Sequence, residues 1–131
     1  MDILRAKHLG FCYGVKRSIS LAGEDYGDRR VYTYGKLIHN SRIVGSLESK
    51  GIHAVGDVGE AEPGSVLVIR SHGAPVEEIE RARDLGLEVV DATCPFVKRT
   101  RGIVADMHAK GYAIAIFGKK DHPEVVGINS V

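Results

Sequence analysis

"GSVLVIRSHGAPVEEIERARDLGLEVVDATC", Gly64 to Cys94, decides the fold. Val66–Arg70 opens with four consecutive aliphatic residues, the composition of a strand buried on both faces. The polar turn Ser71-His72-Gly73 follows. Pro75 then stands where the start of a helix tolerates it, Val76, Ile79, Ala82 and Leu85 recur at helical spacing, and Gly86 closes the run. Glu88–Val90, with two β-branched residues after Leu87-Glu88, reads as a second strand. Strand, helix and strand joined by short glycine-bearing turns make a crossover unit, and crossover units build parallel sheets.

The same grammar extends in both directions. Upstream, "VYTYG" (Val31–Gly35) is β-branched and aromatic and reads as a strand. "SRIVGSLESKG" then reads as a helix with Ser41 as N-cap, Ile43, Val44 and Leu47 on one face, and Gly51 at its end. Downstream, "PFVKRTRGIVADMHAKG" places Phe96, Val97, Ile103, Val104 and Met107 on one helical face up to Gly111, and "YAIAIFG" reads as a further strand. The expectation is an α/β fold in which Val31–Tyr34, Val66–Arg70 and Glu88–Val90 are neighbours in one parallel sheet. Tyr112–Phe117 should begin a following unit, with an exposed edge. Ligands of such sheets bind beyond the carboxyl ends of the strands.

Composition narrows the function classes. Apolar residues make up 44% of the 131 and charged residues 27%, as in ordinary globular domains. Lys plus Arg is 18 against 17 Asp plus Glu, a net +1 that argues against a general nucleic-acid binder. The apolar runs are too short for a membrane span, and "MDILRAKHLG" lacks the apolar core of a signal peptide. The chain is read as cytoplasmic, where two cysteines are thiols, metal ligands or redox groups rather than a structural disulfide.

Residues suited to chemistry recur in the loops that follow candidate strands. Cys12 follows "LGF", His39 lies in "GKLIHN", His72 in "RSHGA", Cys94 in "DATCP", and His122 with Glu124 in "GKKDHPEVVG". In a parallel sheet most of these loops open on one edge. Both cysteines read as helix starts, where partial positive charge favours the thiolate, the metal-binding form. Soft sulfur ligands select zinc, copper(I) or iron–sulfur clusters; the plainer reading is two small buried hydrophobes. No Cys-x-x-Cys knuckle is present. A lone loop histidine is more often structural than functional. Three of them, with Asn40, Ser41, Ser71, Gly73 and Asp121 as neighbours, suit an anion cradle. His8, His53 and His108 have no such context. Glu124, stiffened by Pro123, is open to two readings: a proton donor in a partly buried site, or an ordinary first-turn helix charge. P-loop, dinucleotide and nucleophile-elbow signatures are absent.

The segments "GFCYGV", "GKLIHN", "RSHGAP", "DATCPFV" and "GKKDHPEVVG", in this order across Gly10–Gly127, resemble the 4-hydroxy-3-methylbut-2-enyl diphosphate reductase family. The resemblance implies a cloverleaf of similar α/β domains around a 4Fe-4S cluster. Cys12 and Cys94 would be cluster ligands, His39, His72 and His122 would surround the substrate diphosphate, and Glu124 would be the proton-supplying acid. It also implies reductive dehydroxylation of that diphosphate to isopentenyl and dimethylallyl diphosphate, the last step of the non-mevalonate isoprenoid pathway. The electrons would come from a ferredoxin or flavodoxin. Residues 1–94 would form the first domain and 95–131 the opening of a second. The family's third cluster cysteine and later Thr, Ser and Asn substrate residues have no counterpart before "GINSV", and Arg101 stands where many relatives carry His. A truncated chain with two cluster cysteines is therefore expected to be cluster-free and inactive alone. The rival readings are a catalytically silent diphosphate-binding module and a thiol or zinc redox protein.

Overall fold

The computed structural model describes residues 2–7 and 9–131, so His8 lies outside the described residues. In chain order the elements are α1 (Tyr13–Ala22), β1 (Val31–Tyr34), α2 (Ser41–Glu48), β2 (Ile52–Val55), a single 3₁₀ turn (Val58–Glu60) and β3 (Val66–Ile69). Then come α3 (Val76–Asp84), β4 (Glu88–Asp91), α4 (Pro95–Ala109) and α5 (Pro123–Asn129). The four strands form one sheet in the order β2-β1-β3-β4, and every pairing is parallel. The α/β fold and its parallel sheet are as the sequence implies.

Both faces of the sheet are covered, which is why its central strand is uniformly aliphatic. Along β3, Val66 and Val68 join Ala22, Leu37, Leu47 and Ile52 in a core on the α1 and α2 side. Leu67 and Ile69 point the other way and join Val58, Ala74, Ala82 and Leu87 on the α3 side. All four β3 residues are at most 1% exposed. A two-residue side-chain period and hydrophobic layers on both faces leave no place for a polar residue in β3.

The order of the strands locates the crevice. The chain winds outward from β1 through α2 to β2, and outward in the opposite direction from β3 through α3 to β4. β1 and β3 are neighbours whose following helices cover opposite faces. Their carboxyl ends therefore flank a topological switch point, where such sheets leave an opening. His39 follows β1 and His72 follows β3.

Three expectations are corrected by the structure, and one strand is added. "LGF" before Cys12 is not a strand: the residues preceding α1 run outside the sheet. Tyr112–Phe117 is not a strand either. The segment is exposed throughout, with Phe117 at 97%, and no described strand offers it a ladder, without which a β-rich run has nothing to pair with. The added strand is β2, which carries no sequence signal because "IHAV" buries only Ile52 and Val55 and exposes His53 and Ala54, a pattern without two-residue alternation. The N-cap of α2 is Asn40, whose side-chain oxygen accepts from the backbone N–H groups of Arg42 at 3.1 Å and Ile43 at 3.3 Å; Ser41 is the first helical residue. Helix α4 forms where its apolar spacing predicts, yet none of its residues is buried, and Phe96 is 73% and Ile103 51% exposed.

Candidate functional site

Backbone hydrogen bonds carry the β3–β4 ladder past the ends of the strands. Ala92 N–H donates to the carbonyl of Ile69 at 3.1 Å, and Cys94 N–H to that of Ser71 at 2.9 Å. Cys94 is thereby fixed beside the turn that carries His72. Asp91 reinforces the turn by accepting from Thr93 N–H at 2.9 Å and pairing with Lys98 at 2.7 Å. Burial opposes the Asp91 charge, but the Lys98 and Thr93 contacts outweigh it, and its pKa lies below the usual carboxylate range.

Cys94 is the N-cap of α4 and Cys12 the N-cap of α1, and neither side chain is engaged in capping. Both are free thiols, Cys12 exposed and Cys94 half-buried. α1 comes within contact of Cys94 through Gly14, the second residue of the helix: a Cβ built there would lie 2.8 Å from the Cys94 Sγ. That glycine lets the Cys12-bearing helix start approach Cys94. Arg17, one turn further along α1, reaches the carbonyls of Asp91 and Thr93 at 3.5 Å. A structural reason for Gly14 is legible only in three dimensions.

His72 and His122 meet edge to face, with ring centroids 5.8 Å apart and planes at 87°. His122 caps α5: its Nδ1 accepts from Glu124 N–H at 3.3 Å, which leaves Nε2 to carry the ring proton in the neutral form. Glu124 lines a cleft of about 310 Å³ together with Cys94, Phe96, Val97, Thr100 and Ile128. The acid thus shares a cleft with a thiol and sits next to the His122 cap. Burial lowers the pKa of His72 below its ordinary value. Glu124 acts against that shift, while Arg70, His122 and His39 add to it, so all four lie within electrostatic range of one ring. His39 itself is exposed, on the rim of a separate cavity of about 500 Å³ formed with Lys36, Asn40 and Ser41.

Two polar atoms in this region are buried without a hydrogen-bond partner, His72 Nδ1 and Arg70 Nε. Nothing in the sequence singles out Arg70. It follows β3 directly, and its guanidinium covers Gly35, the residue after β1: a Cβ at Gly35 would lie 2.5 Å from Nη1. The φ of +69° at Gly35 would in any case exclude most side chains. A cation half-buried in the crevice between β1 and β3, with no carboxylate paired to it among the described residues, gives the switch point a positive character suited to an anion. His53 and His108 are exposed and outside this region.

Fold and site together define an α/β protein with helices on both sheet faces and a thiol-, imidazole- and carboxylate-bearing cleft at the carboxyl edge. The chain belongs to the family described as LytB protein, whose family model matches residues 3–131. It is 45% identical over 98% of its length to a 4-hydroxy-3-methylbut-2-enyl diphosphate reductase from Caldanaerobacter subterraneus subsp. tengcongensis, and covers 46% of that protein. To the protein of the same name from a Geobacter species it is 49% identical over 99% of its length, again covering 46% of the relative. Among solved structures it is similar to (E)-4-hydroxy-3-methyl-but-2-enyl diphosphate reductase, the terminal enzyme of the non-mevalonate pathway. That match has TM-score 0.87 and 42% identity, and covers 98% of this chain and 46% of the other. A Plasmodium falciparum reductase matches with TM-score 0.88 and 31% identity, over 92% of this chain and 39% of its own. The chain thus spans just under half the length of the curated relatives it matches.

Proposed function

We propose that this chain carries the diphosphate cradle, the proton donor and two cluster ligands of a 4-hydroxy-3-methylbut-2-enyl diphosphate reductase. The observation that supports this most directly is the meeting of His72 and His122 beside Glu124, within electrostatic range of Arg70 and His39. Imidazoles and a guanidinium facing a crevice suit a multiply charged phosphate group, and the two orphaned nitrogens are polar atoms without protein partners.

The reaction consumes two electrons and two protons, releases the hydroxyl oxygen as water, and leaves an isopentenyl or dimethylallyl diphosphate. His39, His72 and His122 bind the diphosphate, the end of the substrate that does not react. Binding there fixes the position of the hydroxyl. Glu124, on the first turn of α5 and lining the cleft with Cys94, supplies a proton to the departing oxygen. Phe96, Val97 and Ile128 give the same cleft an apolar lining suited to the substrate's allylic carbons.

A 4Fe-4S cluster fits two of this chain's residues. Cys12 and Cys94 are free thiols at two helix starts brought together through Gly14. When bound, the cluster supplies electron transfer and Lewis acidity. Among the described residues no set of three His, Cys, Asp or Glu side chains is poised to hold a metal. With two thiolates a cluster is easily lost, so the isolated 131-residue chain is expected to be cluster-free and inactive alone. A ferredoxin or flavodoxin is the electron donor in this reading, and residues 95–131 open a second α/β unit. Among the described residues no helix is long and apolar enough to cross a membrane.

Titration with the hydroxylated substrate, before and after anaerobic reconstitution with iron and sulfide, tests the proposal. In protein that turns over, Glu124→Gln should retain substrate binding and lose turnover, because only proton transfer is removed. Near-normal turnover in that variant removes Glu124 from the acid role. Binding that never leads to turnover, with iron and sulfide supplied and a third ligand available, would favour the silent binding module instead.

A further inference from the structure

Arg101 lies on α4 seven residues after Cys94, two helical turns away and on the same face. Its Nη1 donates to the carbonyl of Ala74 at 3.0 Å, in the turn between β3 and α3. The same nitrogen lies 3.1 Å from where a Cβ on Gly73 would stand and 3.7 Å from where one on Gly127 would stand. Gly73 directly follows His72, and Gly127 is in α5, the helix that His122 caps and Glu124 opens. One guanidinium therefore touches three segments: α4, the turn carrying His72, and α5. Among the described residues Arg101 forms no ion pair, so its charge is directed at a backbone carbonyl rather than at a carboxylate.

We propose that Arg101 is a positioning residue: by bridging α4, the Gly73–Ala74 turn and Gly127 of α5, it holds the His72 and His122 rings in their edge-to-face contact, so that both address one anion. This rests on the diphosphate-cradle reading and adds a residue that touches neither the anion nor the reacting carbons. The glycine at 73 belongs to the same device. Its φ of +82° already disfavours a side chain, and a methyl group there would press on the guanidinium. α5 has a second attachment that does not involve Arg101: Ser130 Oγ accepts from Val76 N–H at 3.1 Å and donates to the Gly127 carbonyl at 2.9 Å. The helix should therefore stay docked when Arg101 is changed, while its rotation relative to the His72 turn becomes free.

The experiment compares wild type, Arg101→Met and Arg101→Lys, with inorganic pyrophosphate as the probe. Two quantities are read: the proton NOE between the His72 and His122 rings, and the dissociation constant for pyrophosphate. The expected result for Arg101→Met is a folded protein whose inter-ring NOE is lost and whose pyrophosphate affinity falls about tenfold, the worth of one imidazole hydrogen bond to the anion lost when the two rings no longer address it together. Arg101→Lys, which keeps a cationic donor, should restore the NOE and most of the affinity. If Arg101→Met does not fold, Arg101→Gln carries the same two readouts. An unchanged NOE and an unchanged affinity in the uncharged variants overturn the positioning role, even if the melting temperature falls, and leave the diphosphate reading intact. If wild type itself ignores pyrophosphate, the diphosphate reading fails, and the NOE alone decides whether Arg101 holds the two rings together.

Discussion

Gly14→Ala sets two physical effects of opposite sign against each other. Gly14 is inside helix α1, where replacing glycine by alanine normally stabilises by about 1 kcal/mol. At this position the new Cβ would lie 2.8 Å from the Cys94 Sγ and 2.9 Å from the Cys94 Cβ. Both distances are below contact, and the obstacle is a short side chain whose backbone is tied to Ser71, so it cannot swing aside as a long side chain would. Overpacking of this kind costs about 1–3 kcal/mol. The net expectation is a loss of roughly 0–2 kcal/mol, the difference between those two figures. Gly45→Ala and Gly102→Ala, in α2 and α4 with nothing within 4 Å of the new methyl, serve as controls and should gain about 0.5–1 kcal/mol. Urea unfolding of the three variants reads the difference directly. Reaction of Cys12 and Cys94 with a disulfide reagent should also change in Gly14→Ala alone, because the methyl separates the two helix starts. A Gly14→Ala protein as stabilised as the controls, with unchanged thiol reactivity, would refute the close approach of α1 to Cys94.

Further expectations follow from the site and its surroundings. Burial lowers the pKa of His72 below its ordinary value of 6.5, so its contribution to stability is complete above that value and is lost as the pH falls through the lower folded pKa. His72→Gln should therefore flatten the fall in stability between pH 7 and pH 5, and parallel stability curves for the two proteins would contradict this. Asp91 behaves as a depressed carboxylate: its stabilisation is present above 3.8 and lost as the pH falls through its lower folded pKa. Asp91→Asn should reduce stability at neutral pH yet leave little difference near pH 2, as thermal melts across that range would show. The exposed run Tyr112–Phe117 should promote self-association of the 131-residue chain. Ile114→Lys with Ile116→Lys should abolish concentration-dependent sedimentation, and sedimentation unchanged by the pair would assign the association to another surface.

The parts of the fold that were legible in the sequence are those whose signal is local. β3 and α3 announce themselves because four aliphatic residues in a row, then Val76, Ile79 and Ala82 at helical spacing, leave few alternatives. β2 did not, since its four residues bury only the outer two, and it became a strand because β1 offered it a ladder. "YAIAIF" fails for the converse reason: it has strand composition and no partner. At the site, the loops bearing His72, Cys94 and His122 could be named from the sequence, and the structure brings them together. The devices that hold them were not legible. Gly14 looks like any helical glycine until Cys94 is seen against it. Arg70 and Arg101 look like surface charges until one is found over Gly35 and the other between Gly73 and Gly127. Such roles depend on contacts between segments distant in sequence, which composition and periodicity do not encode.

Calorimetric titration of inorganic pyrophosphate into wild type and into His39→Ala, His72→Ala and His122→Ala tests the central claim most directly. Wild type should bind, and each substitution should weaken binding by about 1–3 kcal/mol, the worth of a hydrogen bond to a charged group. The largest loss is expected at His72, whose ring meets that of His122 and lies within electrostatic range of Glu124, Arg70 and His39. Equal affinity in wild type and all three variants would contradict the account, because the anion would then be held by something other than these imidazoles.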